Sequence, residues 1–167
     1  MPDRPALHHL SPEDGPADTY GQTLVAALAG RGWRIARTAL PGPYPRVDPS
    51  AILAADIALS RLPDGAGVLL DGLALPGLAG GIAVDSRRLR FVALVERPLW
   101  RDPGLSADEA AALRHLEQGA LAQMRRVLVP SPAVAAEMAA LCLPGDAVSV
   151  VPADGDGVRR LAGLLDA

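Results

Sequence analysis

Short apolar runs alternate along this chain with segments whose apolar residues recur at helical spacing, and Gly, Pro or Asp punctuates each change. That rhythm predicts strand and helix units wound around a parallel sheet. The first run, Pro5 to Leu10, is the weakest. A loop of Ser, Pro, Glu, Asp and Gly separates it from a helix that Asp18 is positioned to cap, with Leu24, Val25 and Leu28 on one face and a stop at Gly30 and Gly32. Trp33 to Leu40 reads as the second strand. Asp48 followed by Pro49 opens the next helix, which carries Ile52, Ala55, Ile57 and Leu59 to a stop at Pro63-Asp64-Gly65.

Val68-Leu69-Leu70-Asp71 has the unbroken apolar run of a strand buried on both faces, with Asp71 at its carboxyl end. A short helix near Leu75 to Val84 follows, then a strand from Phe91 to Val95. Ser106-Ala107-Asp108-Glu109 is a capping box, in which hydroxyl and carboxylate satisfy opposite backbone donors, and it opens a helix running to about Met124. Arg126 to Val129 and Ala147 to Val151 complete the strands. Ser131-Pro132 starts the helix between them, and a last helix lies near Val158 to Leu165. The pattern predicts an α/β fold, a doubly wound parallel sheet with helices on both faces, because such crossovers are right-handed. Strand order is not written in it. With no internal repeat and no second composition regime, residues 1–167 read as a single Rossmann-like domain, and the acidic Asp154-Gly155-Asp156-Gly157 tract as its one hinge candidate.

At 167 residues the chain can bury roughly 70% of the surface its unfolded form exposes, so a core needs no staples. Half of it is hydrophobic but only 3% aromatic, which leaves little material for base-stacking platforms. The formal charge is -3, and all 16 cationic residues are Arg. Nucleic acid is therefore not an expected partner. Cys142 is the sole cysteine; it excludes an internal disulfide, and among Ala140, Leu141 and Leu143 it reads as a buried apolar residue in a reducing compartment. No stretch approaches the roughly 18 apolar residues of a membrane span, and no apolar signal region follows Met1. A cytoplasmic protein is expected.

Candidate chemistry gathers after the strands. His8 and His9 are adjacent on a strand and point to opposite faces, His115 is isolated, and Ser131 lacks a His and acid pattern, so neither a metal site, a bound cofactor nor a hydrolase triad is expected. Asp71 faces a cleft or ties down the turn that follows it. Glu96 accepts hydrogen bonds from a ligand or pairs with Arg97 or Arg101 at the rim. Ser131, before Pro132, is a helix cap or a site residue. Trp100, beside Arg97, Pro98 and Arg101, either anchors a partner surface with Tyr20, Pro98 and Leu99 or folds back over its own helix.

Several segments, in order, carry a family likeness: Leu40-Pro41-Gly42-Pro43-Tyr44-Pro45, Leu62-Pro63-Asp64-Gly65-Ala66, Leu70-Asp71-Gly72-Leu73-Ala74, the loop Val95-Glu96-Arg97-Pro98-Leu99, the helix with Glu117, Ala120 and Leu121, Val127 to Ala135, and Val150-Val151-Pro152-Ala153. Across about residues 20 to 157 the chain resembles the N-terminal domain of retaining GT-B glycosyltransferases of family four. The resemblance implies a Rossmann-like acceptor-side domain with Asp71, Glu96, Arg97 and Ser131 toward the substrate, and a second, donor-binding lobe that these residues do not include. The departures lie in the chemistry. Glu96 and Arg97 replace the family's histidines, and Ser11 to Asp18, with three carboxylates and two prolines, replaces its phosphate-binding glycine loop. The expectation is an acceptor-side domain without catalytic residues of its own, recognising a sugar or glycan acceptor and completed by a donor-lobe subunit; the alternative is a non-catalytic scaffold whose former cleft meets a protein partner.

Overall fold

A computed structural model describes residues 6–144 and 146–166. β1 (Leu7–Pro12), β2 (Ile35–Leu40), β3 (Gly67–Asp71), β4 (Arg90–Leu94), β5 (Arg126–Val129) and β6 (Val148–Val150) form one sheet in the order β2-β1-β3-β4-β5-β6, with every neighbouring pair parallel. Between and after them run α1 (Tyr20–Gly30), α2 (Pro49–Ser60), α3 (Leu75–Asp85), α4 (Ala107–Leu121), α5 (Pro132–Met138) and α6 (Gly155–Asp166). The direction of strand progression reverses once, between β1 and β3. Right-handed crossovers then set α1 on one face and α2 to α5 on the other, the doubly wound, Rossmann-like plan expected from the chain.

The period of two along each strand divides the core. On β3, Val68 and Leu70 join Leu10, Phe91, Ala93 and Val127 beneath α2 to α5, while Leu69 joins Val92, Leu94 and Leu128 beneath α1 and α6. Both faces are covered, which is why the run from Val68 to Leu70 has no polar alternation. Leu24, Val25 and Leu28 of α1 and Val158 and Leu161 of α6 seal the second layer. Among the described residues no helix is long and apolar enough to cross a membrane.

Local signals hold at Asp48, whose carboxylate caps α2 at 2.8 Å, at the complete Ser106 and Glu109 capping box, and at Ser131, which caps α5. Three expectations need correction. Asp18 does not cap α1; the neighbouring Thr19 does, accepting from the Gln22 amide at 3.2 Å, because the helix starts one residue later. The Asp154–Gly157 tract is not a hinge but the start of α6, fixed by the Gly157 amide donating to Asp154 at 2.7 Å. Cys142 is exposed, since it ends a 3-10 turn in the left-handed region, φ 50°, which aims its side chain away from the core.

Two glycines on α6 separate close approach from mere tolerance. A Cβ on Gly157 would run into the Pro152 carbonyl, whereas one on Gly163 would meet nothing within 4 Å. Gly157→Ala is expected to destabilise the fold by on the order of 2 kcal/mol through forced displacement of backbone, and Gly163→Ala to stabilise it by about 0.5–1 kcal/mol. Urea unfolding of the two variants is the measurement. Equal effects at both positions would contradict the packing described for this helix.

Candidate functional site

The single reversal in strand progression opens a crevice beyond the carboxyl ends of β1 and β3, where ligands bind in sheets of this kind. Here it is a cleft of about 330 Å³, at the small end for a ligand site, with Thr19, Gly21, Asp71, Glu96, Arg97 and Leu99 among its lining residues. The N-terminus of α1 points into it. That terminus presents amides that have no partner within the helix and about half a positive charge, so its natural occupant is an anion.

The anions present are the protein's own. Asp71, at the end of β3, is 5% exposed; its Oδ2 accepts from the Thr19 hydroxyl at 3.4 Å and its Oδ1 from the Leu73 amide at 3.0 Å, which also fixes the 3-10 turn Gly72–Ala74. Glu96, just beyond β4, accepts from the Tyr20 amide in the first turn of α1 at 3.3 Å. Gly21 permits this approach, because a Cβ there would sit 3.2 Å from Asp71 Oδ2 and 3.5 Å from Leu94. The Tyr20 hydroxyl, buried, donates to the Val151 carbonyl at 2.7 Å beyond β6, and burial raises its pKa. One helix end is thus tied to segments following β3, β4 and β6.

Burial raises the pKa of Asp71; the Leu73 and Thr19 hydrogen bonds pull it down, and the nearby Glu96 charge pushes it up again. Desolvation wins. The carboxyl is more easily protonated than a free one, as expected of a buried carboxylate whose two hydrogen bonds do not offset its lost hydration, with the Glu96 charge a minor addition.

Arg97 pairs with Asp102 at 3.6 Å and Arg101 with Glu137 at 3.5 Å. The expected Glu96 partnership with either arginine is therefore replaced by the Tyr20 amide. Glu96 and Arg97 are exposed, Tyr20, Pro98 and Leu99 are buried, and Trp100 is half-buried against the layer beneath α2 to α5. The solvent-facing part of that edge is Glu96, Arg97 and a portion of Trp100. Ser131 shares the carboxyl edge of the sheet beyond β5, but its hydroxyl accepts from the Val134 amide at 3.3 Å. Asp71, Glu96 and Arg97 share the cleft; Ser131 is not among its lining residues. Among the described residues no group of three His, Cys, Asp or Glu is arranged to hold a metal ion.

Sequence reasoning gave no site role to Glu117, a carboxylate with no exposed surface on α4. It accepts from the Leu99 amide at 3.0 Å and the Trp100 amide at 3.3 Å, so it holds the 3-10 turn Leu99–Arg101 that walls the cleft. The signal was present: Leu113, Glu117, Ala120 and Leu121 fall at i, i+4, i+7 and i+8, an acid set into the apolar stripe. Thr19 was missed because a cap displaced by one residue leaves no trace in composition.

Compared with known proteins, the chain matches no protein-family model and no curated protein.

Burial raises the Glu117 pKa from 4.5 to about 7, against the pull of the two amides and of Arg97. A carboxyl with a raised folded pKa favours the fold while protonated, so this contribution is complete below about pH 4.5 and lost as pH rises through about 7. His9 acts in the opposite sense. It is buried with neither ring nitrogen hydrogen-bonded, and burial followed by the Arg37 charge lowers its pKa to about 4, so protonation below about 6.5 opposes folding. The clean readout is a difference between proteins. Relative to Glu117→Gln, which keeps an acceptor without the titration, the wild type is expected to gain on the order of 3 kcal/mol of stability from about pH 8 to about pH 4.5. A pH-independent difference would contradict a buried, titrating Glu117.

Proposed function

We propose that this chain is the acceptor-side domain of a glycosyltransferase-like architecture, and that its cleft takes a neutral, hydroxyl-rich ligand such as a sugar or glycan acceptor. The observation that carries this reading is the occupation of the α1 N-terminus by Asp71 and Glu96. A phosphate brought to that terminus gains about 0.3–2 kcal/mol from the helix. It also meets ionised carboxylates, and one such contact near 4 Å costs about 4 kcal/mol at an effective dielectric of 20. Repulsion wins, and nucleotide diphosphates are disfavoured.

A sugar hydroxyl suits the same groups. Carboxylate oxygens accept a hydrogen bond from it, and the Arg97 guanidinium at the rim donates one to its oxygen. Such a cleft holds an acceptor but transfers nothing to it, because transfer needs an activated donor aligned against the acceptor with water excluded. Catalysis on this reading belongs to an assembly with a donor-binding lobe, and this domain supplies recognition. The second reading is a non-catalytic scaffold that meets a protein partner along the same edge; it is favoured by Trp100, left half-exposed beside two exposed arginines.

Titration of the chain with UDP-, GDP- and ADP-sugars and with a panel of neutral methyl glycosides, followed through the Gly21 and Gly72 amide resonances, tests the proposal. Glycosides are expected to shift these resonances in the wild type and not in Asp71→Asn, while no nucleotide sugar binds tighter than roughly 0.1 mM, about 5.5 kcal/mol. Saturable nucleotide-sugar binding below that concentration would overturn it. Silence toward every glycoside, with loss of a co-purifying protein on Trp100→Ala in a fully folded chain, would replace it with the scaffold reading.

A further inference from the structure

A second cavity adjoins the cleft on its β2 side. It measures about 360 Å³ and is walled by the loops after β1 and β2, with Pro12, Pro16, Pro43 and Tyr44 among its lining residues, and by Leu73 of the turn after β3. Pro16 and Leu73 line both cavities, so the two lie against one another along the carboxyl edge of the sheet. Each alone is at the small end for a ligand site. Together they reach the middle of that range.

The two cavities differ in chemistry. The first carries Asp71, Glu96 and Arg97. In the second, among the described residues, Asp14 is the one charged lining residue. Hydrogen-bond donors are scarce there: three of the lining residues are prolines, which have no N–H, and the Gly15 amide is taken by the Pro12 carbonyl. The Tyr44 hydroxyl is buried while the residue as a whole is half-exposed, so the part of Tyr44 open to solvent carries no side-chain donor. A second sugar placed here would find few donors for its hydroxyl oxygens, whereas an apolar ring needs none. Asp14 at the rim repels an anionic ring and leaves a neutral one untouched.

The walls are held from behind. A Cβ on Gly77 of α3 would come within 2.9 Å of the Tyr44 ring, and one on Gly42, whose φ is +116°, within 2.5 Å of the Ala51 Cβ on α2. Tyr44 is thus seated on α3 and the Gly42 turn on α2. The Glu13 amide donates to the Leu40 carbonyl at 2.9 Å and ties the β1 loop to the end of β2. Such a cavity is formed before a ligand arrives, which lowers the ordering cost of binding.

We propose that the ligand of this edge is a glycoside with a neutral, apolar cyclic aglycone, its sugar against Asp71, Glu96 and Arg97 and its aglycone ring against Pro43, Tyr44 and Leu73. The proposal rests on the acceptor reading given above, which supplies the sugar end; the aglycone end is new.

Methyl and phenyl glycosides of the same sugars, glucose, galactose and mannose, titrated into the full chain and followed through amide resonances, are the test. Gly21 and Gly72 report the first cavity, Gly15 and Gly42 the second. Both glycosides of a recognised sugar are expected to shift Gly21 and Gly72. Only the phenyl glycoside is expected to shift Gly15 and Gly42 as well, and to bind about tenfold tighter, the gain from partly burying an aromatic ring. Pro43→Glu, at an exposed position, is expected to bring the phenyl glycoside down to the affinity of the methyl one, with circular dichroism as the check on folding. If that variant fails to fold, the two ligands on the wild type decide the matter alone. Methyl glycosides that shift Gly21 and Gly72, with phenyl glycosides binding no tighter and Gly15 and Gly42 silent, would overturn this inference and leave the acceptor reading standing. A tenfold preference that persists in folded Pro43→Glu would overturn it too. Silence of Gly21 and Gly72 toward methyl and phenyl glycosides alike would remove both readings.

Discussion

The first turn of α1 is the constraint on which the upper edge of the molecule depends. Asp71 bonds the capping hydroxyl of Thr19, Glu96 bonds the Tyr20 amide, and the Tyr20 hydroxyl reaches the Val151 carbonyl. Three segments following different strands are thereby fixed to one helix end. Gly21 makes the approach possible, since a side chain there would press on both Asp71 and Leu94. The opposing forces are unequal: Asp71 loses more by leaving water than its two hydrogen bonds return.

On the proposed reading, the same arrangement decides what the cleft can accept. In doubly wound sheets the bare amides beyond β1 ordinarily receive a phosphate, and glycine lets the backbone close around it. In this chain the loop from Ser11 to Asp18 is acidic and proline-bearing, and the first helix brings its positive end to carboxylates from β3 and β4. An internal anion stands where an external one would bind. Glu117 extends the pattern on the other side of the cleft, bonding the Leu99 and Trp100 amides from within the core. Buried carboxylates serve as caps for two turns that line one crevice, and both have pKa values raised by their surroundings.

Much of this was legible in the sequence, for reasons that differ by element. β3 was visible because a strand covered on both faces must be apolar at every position, and α2 and α4 because Asp48 with Pro49, and Ser106 with Glu109, are local signals that need no tertiary context. The start of α1 was misplaced by one residue because Asp18 and Thr19 are both acceptable caps, and the choice between them is made by Asp71, 52 positions away. The Asp154–Gly157 tract looked flexible by composition; Gly157 is required instead by the closeness of Pro152. Strand order, the edge position of β2 and the partner of Glu96 are properties of the assembled sheet. No window of sequence contains them. Asp71, Glu96 and Arg97 converge because β3 and β4 lie side by side, whereas Ser131, one strand further, spends its hydroxyl on its own helix.

The central claim is that Asp71 and Glu96 act together as the anion at the α1 N-terminus. Carbon-detected NMR titration of the two side-chain carboxyls, in the wild type and in Glu96→Gln, measures this directly. The account predicts that Asp71 titrates above the ordinary 3.8 of a free aspartate and that removing the Glu96 charge lowers its midpoint. An Asp71 that titrates at or below the ordinary value, with a midpoint indifferent to Glu96, would contradict it.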